Sequence, residues 1–332
     1  MNEKDPDLRI CIFGAGAVGG HFAARLAAAG QDVSVVARGS QLPAIRENGL
    51  TLISGEQVIQ ASVAASDNPA DLGPQDLVIS TVKATALPVL ADGIAPLLAD
   101  HTPVIFAQNG IPWWYGMGLS GSECGAPDLG WLDPDATLAG AIGPARTIGG
   151  VIFSSNQLVE PGVVHNDSPA RNALVVGEID DRASERITEI RAALTASGID
   201  SPSAPDIRAV LWSKLINNMT ASVLCLLTGR KVSDLAADDQ LAETLLVLMA
   251  EARAVAASLG YDFGPVDREG LRRAAPDHKP SILQDYEAGR AMEIDALVRA
   301  PLAFARHAGV ATPALDAVAA QAIALADRAR AR

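Results

Sequence analysis

A glycine-rich turn near the start of the chain constrains the fold more than any other feature of the sequence. Residues 14–19 have the sequence GAGAVG. They follow an apolar strand pattern at 9–13 and lead into an Ala- and Leu-rich helix pattern at 18–29. In such a unit the first glycine permits a tight turn, the second lets the backbone approach a diphosphate, and the third lets helix and strand pack closely. The N-terminus of the helix then attracts the negative charge. The predicted dinucleotide-binding residues are Gly14, Ala15, Gly16, Ala17, Val18 and Gly19.

Apolar strand patterns continue to alternate with helical ones over the first 110 residues. Strands that are apolar throughout and separated by helices are typical of a parallel sheet covered on both faces. The sequence therefore predicts a doubly wound α/β domain. The further predicted strands are 33–37, 77–82 and 103–107, with a helix over 87–98 and a short β excursion at 50–53 and 58–64.

The pattern changes after the sequence SPSAP at 201–205, which is typical of a linker. Only helical spacing follows it, so we predict an all-α C-terminal domain. The predicted domains are residues 1–203 and 204–332. The predicted helices of the second domain are 207–228, 241–259, 282–287, 294–307 and 314–332.

Charge and cysteine usage exclude several classes of partner. The chain has 39 acidic and 26 basic residues and a net charge of −13 at pH 7, which repels nucleic acid and anionic lipid. Its three cysteines and five histidines are scattered without metal-ligand spacing. The first residues carry no basic and apolar leader. We therefore expect a cytoplasmic protein with no metal, nucleic-acid partner or membrane partner.

Three polar residues follow predicted strands of the sheet. Arg38 lies 19 residues after Gly19, where NAD-binding units carry an acidic residue for the ribose 2′-hydroxyl. A guanidinium instead pairs with a 2′-phosphate, so Arg38 favours NADP(H), the alternative being a solvated arginine. Lys83 and Asn109 lie at carboxyl ends of strands, where such sheets bind ligands. A solvated lysine and a turn asparagine are their alternatives.

The second half contributes a lysine and an amide on one helical face. Lys214 and Asn218 are four residues apart in an apolar segment, and Ser222 extends the row with a drift of about 40° per step. They lie either at an exposed edge or in a site where the lysine donates a proton. Ser281 begins a predicted helix, and Glu293 precedes the next helix. Both are candidates for the site, and the alternatives are a serine that caps its helix and a solvated glutamate.

Together these pieces resemble the ketopantoate reductase (2-dehydropantoate 2-reductase) family. The resemblance implies an N-terminal Rossmann-type domain that binds NADP, a helical C-terminal domain for substrate and dimerisation, and an active site in the cleft between them. It also implies reduction of a 2-keto acid with NADPH, with a homodimer left open. The motifs that carry it are residues 14–19, Arg38, VKA at 82–84, QNG at 108–110, Lys214 with Asn218, and SILQD at 281–285 with EID at 293–295.

The same resemblance assigns roles to individual residues. Lys214 matches the general acid that protonates the ketone oxygen, and Glu293 matches the acidic residue near cofactor and lysine, so these two are the predicted catalytic residues. Besides the glycine-rich turn, the predicted cofactor-binding residues are Arg38, Lys83 and Asn109. The predicted substrate-binding residues are Asn109, Lys214, Asn218, Ser222 and Ser281. The family commonly has Asn where this chain has Ser222.

The sequence favours reduction of 2-dehydropantoate to pantoate and leaves two other functions open. One is an NADP-dependent dehydrogenase of a bulkier keto acid, which aromatic residues in the long loop at 112–145 would suit if they line the site. The aromatic residues in question are Trp113, Trp114 and Tyr115. The alternative interpretation is that they only pack the loop against the domain or a partner. The second function is a non-catalytic NADP-binding sensor, against which an intact Lys214 and Glu293 count.

Overall fold

The computed structural model describes residues 8–119 and 125–330, and the chain forms two compact units. The first, here called the sheet unit, comprises Met1–Gln108 and Asp133–Ile207, and the second, the helical unit, comprises Asn109–Leu132 and Arg208–Arg332. The chain crosses between the units three times, and the third crossing, after Ile207, lies close to the predicted domain boundary at 203. Residues 109–132 belong to the helical unit, whereas the sequence prediction placed them in the first domain.

The sheet unit contains eleven strands and five α-helices among its described residues. In chain order they are β1 Arg9–Phe13, α1 Ala17–Ala28, β2 Asp32–Val36, α2 Gln41–Asn48, β3 Leu50–Ser54, β4 Gln57–Ala61, β5 Ala64–Ser66, β6 Leu77–Ser80, α3 Leu87–Gly93, β7 Val104–Phe106, α4 Thr137–Ala141, β8 Thr147–Phe153, β9 Asn156–Glu160, β10 Val163–Asn166, β11 Ala173–Glu178 and α5 Glu185–Ala196.

Seven of these strands form one sheet in the order β11-β8-β7-β6-β1-β2-β5. Every neighbouring pair is parallel except β8 with β11. The strands are apolar and almost wholly buried because helices cover the sheet. The predicted doubly wound α/β fold is confirmed.

A second, four-stranded sheet in the order β4-β3-β10-β9 lies against α1. Helix α1 therefore packs against strands of both sheets. The close approach is visible at Gly20, where a Cβ would lie 2.8 Å from the Val164 side chain. The sequence predicted β3 and β4 only as a short β excursion and not as part of a second sheet, because the pairing of β3 with β10 joins parts of the chain more than 100 residues apart.

The helical unit contains eight α-helices and two π-helical segments among its described residues. Its α6, first π segment and α7 form one uninterrupted helical run, and the second π segment continues directly into α12. The elements are α6 Ile207–Asn217, the π segment Asn218–Ser222, α7 Val223–Thr228, α8 Val232–Ala237, α9 Asp239–Ser258, α10 Arg268–Ala274, α11 Ser281–Glu287, the π segment Asp295–Arg299, α12 Ala300–His307 and α13 Pro313–Arg330. The predicted all-α domain is confirmed, and the short α8 and α10 were not predicted.

The run Ile207–Thr228 is, in the part of the chain that the structure describes, the one helix long and apolar enough to cross a membrane. Two thirds of its most apolar window is buried inside the protein. That burial is typical of the core helix of a folded domain.

The aromatic residues of the long loop pack inside the helical unit. Trp113, Trp114 and Tyr115 are at most 6% exposed. The fully buried Arg208 donates two hydrogen bonds, of 3.0 and 2.9 Å, to the Tyr115 carbonyl, and its guanidinium lies over the Trp114 and Tyr115 rings. Trp212 donates its indole N–H to the Tyr115 hydroxyl at 2.7 Å. Of the two interpretations of these aromatic residues, the structure therefore supports packing of the loop.

Candidate active site

Three strands of the large sheet end at the same level, and this alignment brings the sheet unit's candidate residues to one edge. Phe13 at the end of β1 pairs with Val36 at the end of β2 and with Ser80 at the end of β6. The glycine-rich turn follows Phe13 directly, Arg38 lies two residues beyond Val36, and Lys83 lies three residues beyond Ser80. All three candidates therefore leave the sheet at its carboxyl edge, where open α/β sheets bind ligands.

Two glycines of the turn are required by their surroundings. Gly14 has a φ of +109°, and a Cβ there would lie 2.9 Å from the Val82 side chain. A Cβ on Gly19 would lie only 1.9 Å from the Gly14 carbonyl oxygen, so the start of α1 could not pack against the turn. The Thr81 hydroxyl donates to that same carbonyl at 2.6 Å. Thr81 was missed by the sequence analysis, and only its place directly after β6 marks it.

Gly16 differs from the other two, because no protein atom lies within 4 Å of where its Cβ would be. It is the N-cap residue of α1 and has no side chain to cap the first backbone N–H groups of that helix. Open space beside unsatisfied N–H groups at a helix start is what a diphosphate requires. The residues of the turn therefore fit a dinucleotide.

Arg38 and Lys83 flank this turn on the two neighbouring strands. Arg38 is exposed, and its side chain forms no hydrogen bond or salt bridge with the residues that the structure describes. Lys83 is half-buried in an extended backbone conformation and precedes a 3₁₀ turn at Ala84–Ala86. Both cations lie at the edge where the anionic groups of a bound dinucleotide would be held.

In the helical unit, Lys214 and Asn109 lie together. The Lys214 Nζ donates a 2.7 Å hydrogen bond to the Asn109 Oδ1. Both side chains are half-buried, so the ammonium group combines a fixed direction with access to a ligand. Lys214 lies near the end of α6, and its neighbours Trp212 and Leu215 on the same helix are buried.

The row of Lys214, Asn218 and Ser222 is only partly as predicted. Asn218 and Ser222 are the first and last residues of a π-helical segment, in which hydrogen bonds run from i to i+5 and the helix widens. The predicted drift of 40° per step is therefore wrong for the step from Asn218 to Ser222. Asn218 is half-buried and Ser222 is buried. Such π segments occur frequently at functional sites.

Ser281 begins α11, and Glu293 lies in the connection two residues before the π segment Asp295–Arg299. Ser281 is the exposed first residue of α11, whose N-cap is Pro280, so it is not the capping serine of the alternative interpretation. Gly289, with a φ of +63°, follows the end of α11. Glu293 is only 7% exposed, which excludes a solvated glutamate. Both α11 and the π segment Asp295–Arg299 pack against the π segment Asn218–Ser222.

A glycine-rich turn at the edge of a parallel sheet and a lysine–amide pair in a helical unit together define a dinucleotide-dependent oxidoreductase. Two family models match the chain: "Ketopantoate reductase PanE/ApbA" over residues 10–181 and "Ketopantoate reductase PanE/ApbA C terminal" over residues 206–326. The chain belongs to the ketopantoate reductase family.

Individual relatives agree with this assignment. A 2-dehydropantoate 2-reductase of Mesorhizobium japonicum is 41% identical over 315 residues, which cover 94% of this chain and 95% of that protein. The crystal structure of 2-dehydropantoate 2-reductase from Geobacter metallireducens is 31% identical, with a TM-score of 0.81, and covers 97% of this chain and 100% of its own. The structure of D-mandelate dehydrogenase with NADH and anilino(oxo)acetate is 20% identical, with a TM-score of 0.79. The match covers 97% of this chain and 99% of that one, and the two proteins share the fold.

Proposed function

We propose that the chain reduces 2-dehydropantoate to pantoate with NADPH. The observation that carries the proposal is the hydrogen bond between Lys214 and Asn109, because it places a proton donor and an amide together in a family of keto acid reductases. The name of the relative from Mesorhizobium japonicum, which matches almost the whole chain, supports this substrate.

We assign cofactor binding to the sheet unit. The backbone of the glycine-rich turn and the N-terminus of α1 bind the diphosphate, and Arg38 pairs with the 2′-phosphate. Lys83, at the end of the adjacent strand β6, adds a second positive charge at the same edge. This set selects NADPH over NADH, since NADH offers Arg38 no phosphate.

We assign substrate binding and proton transfer to the helical unit. Bound NADPH supplies a hydride to the keto carbon of the substrate. Lys214 holds a proton on Nζ and gives it to the ketone oxygen, which becomes the hydroxyl of the product. Asn109 fixes the direction of Nζ through its amide oxygen, and solvent returns a proton to Lys214 after the product leaves.

The remaining candidates surround this pair in the fold of the helical unit. Asn218, Ser222 and Ser281 belong to two segments in mutual contact, and we assign their polar groups to the substrate. Glu293 keeps a carboxyl group buried next to the second π segment, and we assign it to holding the positively charged Lys214 and the substrate hydroxyl in place.

The experiment is NADPH oxidation by the purified protein with a panel of 2-keto acids. We expect 2-dehydropantoate to give the highest kcat/KM and to yield pantoate. A keto acid with a bulkier side chain as best substrate would replace the proposed substrate, and NADPH binding without turnover of any member would point to a sensor.

The net charge of −13 also supports a cytoplasmic protein without a nucleic-acid partner. The homodimer is a prediction that sedimentation checks.

A further inference from the structure

We propose that the close contact between Gly110 and Ala296 positions the amide of Asn109 for its hydrogen bond to Lys214, so that Gly110, Ala296 and Pro301 are positioning residues of the reductase. The inference rests on the proposed function. It adds to the site three residues that touch neither substrate nor cofactor in the assignment above.

The two backbones approach each other closely at this contact. A Cβ on Gly110 would lie 2.5 Å from both the carbonyl carbon and the carbonyl oxygen of Ala296, and 2.8 Å from its Cβ. Gly110 also has a φ of +82°, a conformation that side chains disfavour. No residue other than glycine can therefore follow Asn109 without moving it away from this contact.

A backbone hydrogen bond forms at the same place. The backbone N–H of Ile111 donates to the Ala296 carbonyl at 2.9 Å. Asn109 is thus followed within two residues by a backbone anchor, while its own side chain is held by Lys214. Gly110 and Ile111 are both buried, so the anchor is shielded from competing water.

The geometry of the second π segment explains why the Ala296 carbonyl accepts this hydrogen bond. Ala296 lies in the π segment Asp295–Arg299, where the i to i+5 pattern would pair its carbonyl with the backbone of residue 301. That residue is Pro301, the second residue of α12, and proline has no N–H. The carbonyl that the π pattern cannot satisfy is satisfied by Ile111.

The contact also ties the anchor to the helix that carries Lys214. The π segment Asp295–Arg299 packs against the π segment Asn218–Ser222, which continues α6 without a break. Lys214 therefore lies on one of two packed helical runs, and the loop that follows Asn109 is anchored to the other. A shift of the Gly110 loop moves the amide relative to the ammonium group, and a misplacement of about 1 Å can cost roughly 100-fold in rate.

The activity test uses Gly110→Ala with Gly229→Ala as its matched control. Gly229 has a φ of +70°, and no atom lies within 4 Å of its would-be Cβ, so its substitution carries the same backbone strain without the collision. We expect Gly110→Ala to lower kcat by about 100-fold with little change in the KM for NADPH, and Gly229→Ala to keep kcat. In an Asn109→Ala background, Gly110→Ala should lower kcat no further, because its effect passes through Asn109.

An independent readout is hydrogen exchange of the Ile111 amide, measured on the whole protein without substrate. We expect strong protection in the wild type and in Gly229→Ala, and faster exchange in Gly110→Ala and in Pro301→Ala, whose new N–H competes for the Ala296 carbonyl. An unprotected Ile111 amide in the wild type, a normal kcat in Gly110→Ala, or additive losses in the double variant would overturn the inference. A wild type that reduces no 2-keto acid while Ile111 is protected would instead contradict the proposed function.

Discussion

The ammonium group of Lys214 donates a 2.7 Å hydrogen bond to the side-chain oxygen of Asn109, a residue 105 positions earlier in the chain. Lysine carries three N–H donors, so the same group can hold the amide and give a proton to a ketone oxygen. The amide is neutral, and it orients the lysine without cancelling its charge. This pair is the centre of the proposed mechanism.

Arg38 should determine the choice of cofactor. Replacing it with alanine removes a charge-assisted pair with the 2′-phosphate worth about 1.5–3 kcal/mol, and NADPH affinity should fall roughly 10- to 150-fold. NADH affinity should not change. Titrations of both cofactors measure the effect, with Arg182→Ala, another exposed arginine of the sheet unit, as the control. An undiminished preference for NADPH in Arg38→Ala would show that another residue binds the 2′-phosphate.

Gly16 should matter for the cofactor and hardly at all for folding. An alanine there meets no protein atom within 4 Å, so the midpoint of thermal unfolding should remain close to that of the wild type. Its methyl group takes the space of the diphosphate, and loss of one charge-assisted hydrogen bond should weaken NADPH binding by roughly 10- to 150-fold. Gly140→Ala in α4, equally free of collisions, is the control and should bind NADPH normally. Normal NADPH affinity in Gly16→Ala would show that the diphosphate is not bound at this turn.

His21 should make the stability of the sheet unit depend on pH. Burial lowers the pKa of this α1 histidine to about 4, against the opposing effect of its hydrogen bond with Asn172. The native state therefore keeps His21 neutral while the unfolded chain takes up a proton near pH 6.5. Its contribution is complete above that pH and is lost as the pH falls through 6.5 towards 4, at about 1.4 kcal/mol per pH unit.

Urea unfolding at pH 7.5 and pH 5 measures this contribution, with His21→Gln as the variant that cannot titrate. We expect the wild type to lose about 2 kcal/mol more than His21→Gln between the two pH values. Equal losses in both proteins would mean that His21 is protonated in the native state or titrates alike in both states.

Local patterns were sufficient to predict those parts of the fold that depend on neighbouring residues. Strand β1 and the helical run that contains Lys214 lie where the apolar periodicity placed them. The pairing of β3 with β10 and the position of residues 109–132 in the helical unit were not predicted, because both depend on contacts between distant parts of the chain.

The candidate site shows the same division. The four-residue spacing identified Lys214 and Asn218 as candidates, but it did not predict the π segment that begins at Asn218 or its packing against α11 and Asp295–Arg299. Thr81, which fixes the Gly14 carbonyl, and Arg208, which holds the aromatic loop, carry no motif. Their roles arise from partners 67 and 93 residues away.

The kcat of Lys214→Ala in the reduction of 2-dehydropantoate by NADPH tests the proposed mechanism most directly. Loss of a positioned general acid should lower kcat by about 10²- to 10⁴-fold, or roughly 2.7–5.4 kcal/mol of barrier, while NADPH affinity stays the same. Lys231→Ala, which removes a lysine paired with Asp277, should keep the wild-type rate. A Lys214→Ala protein that reduces 2-dehydropantoate at nearly the wild-type kcat would contradict the proposed mechanism.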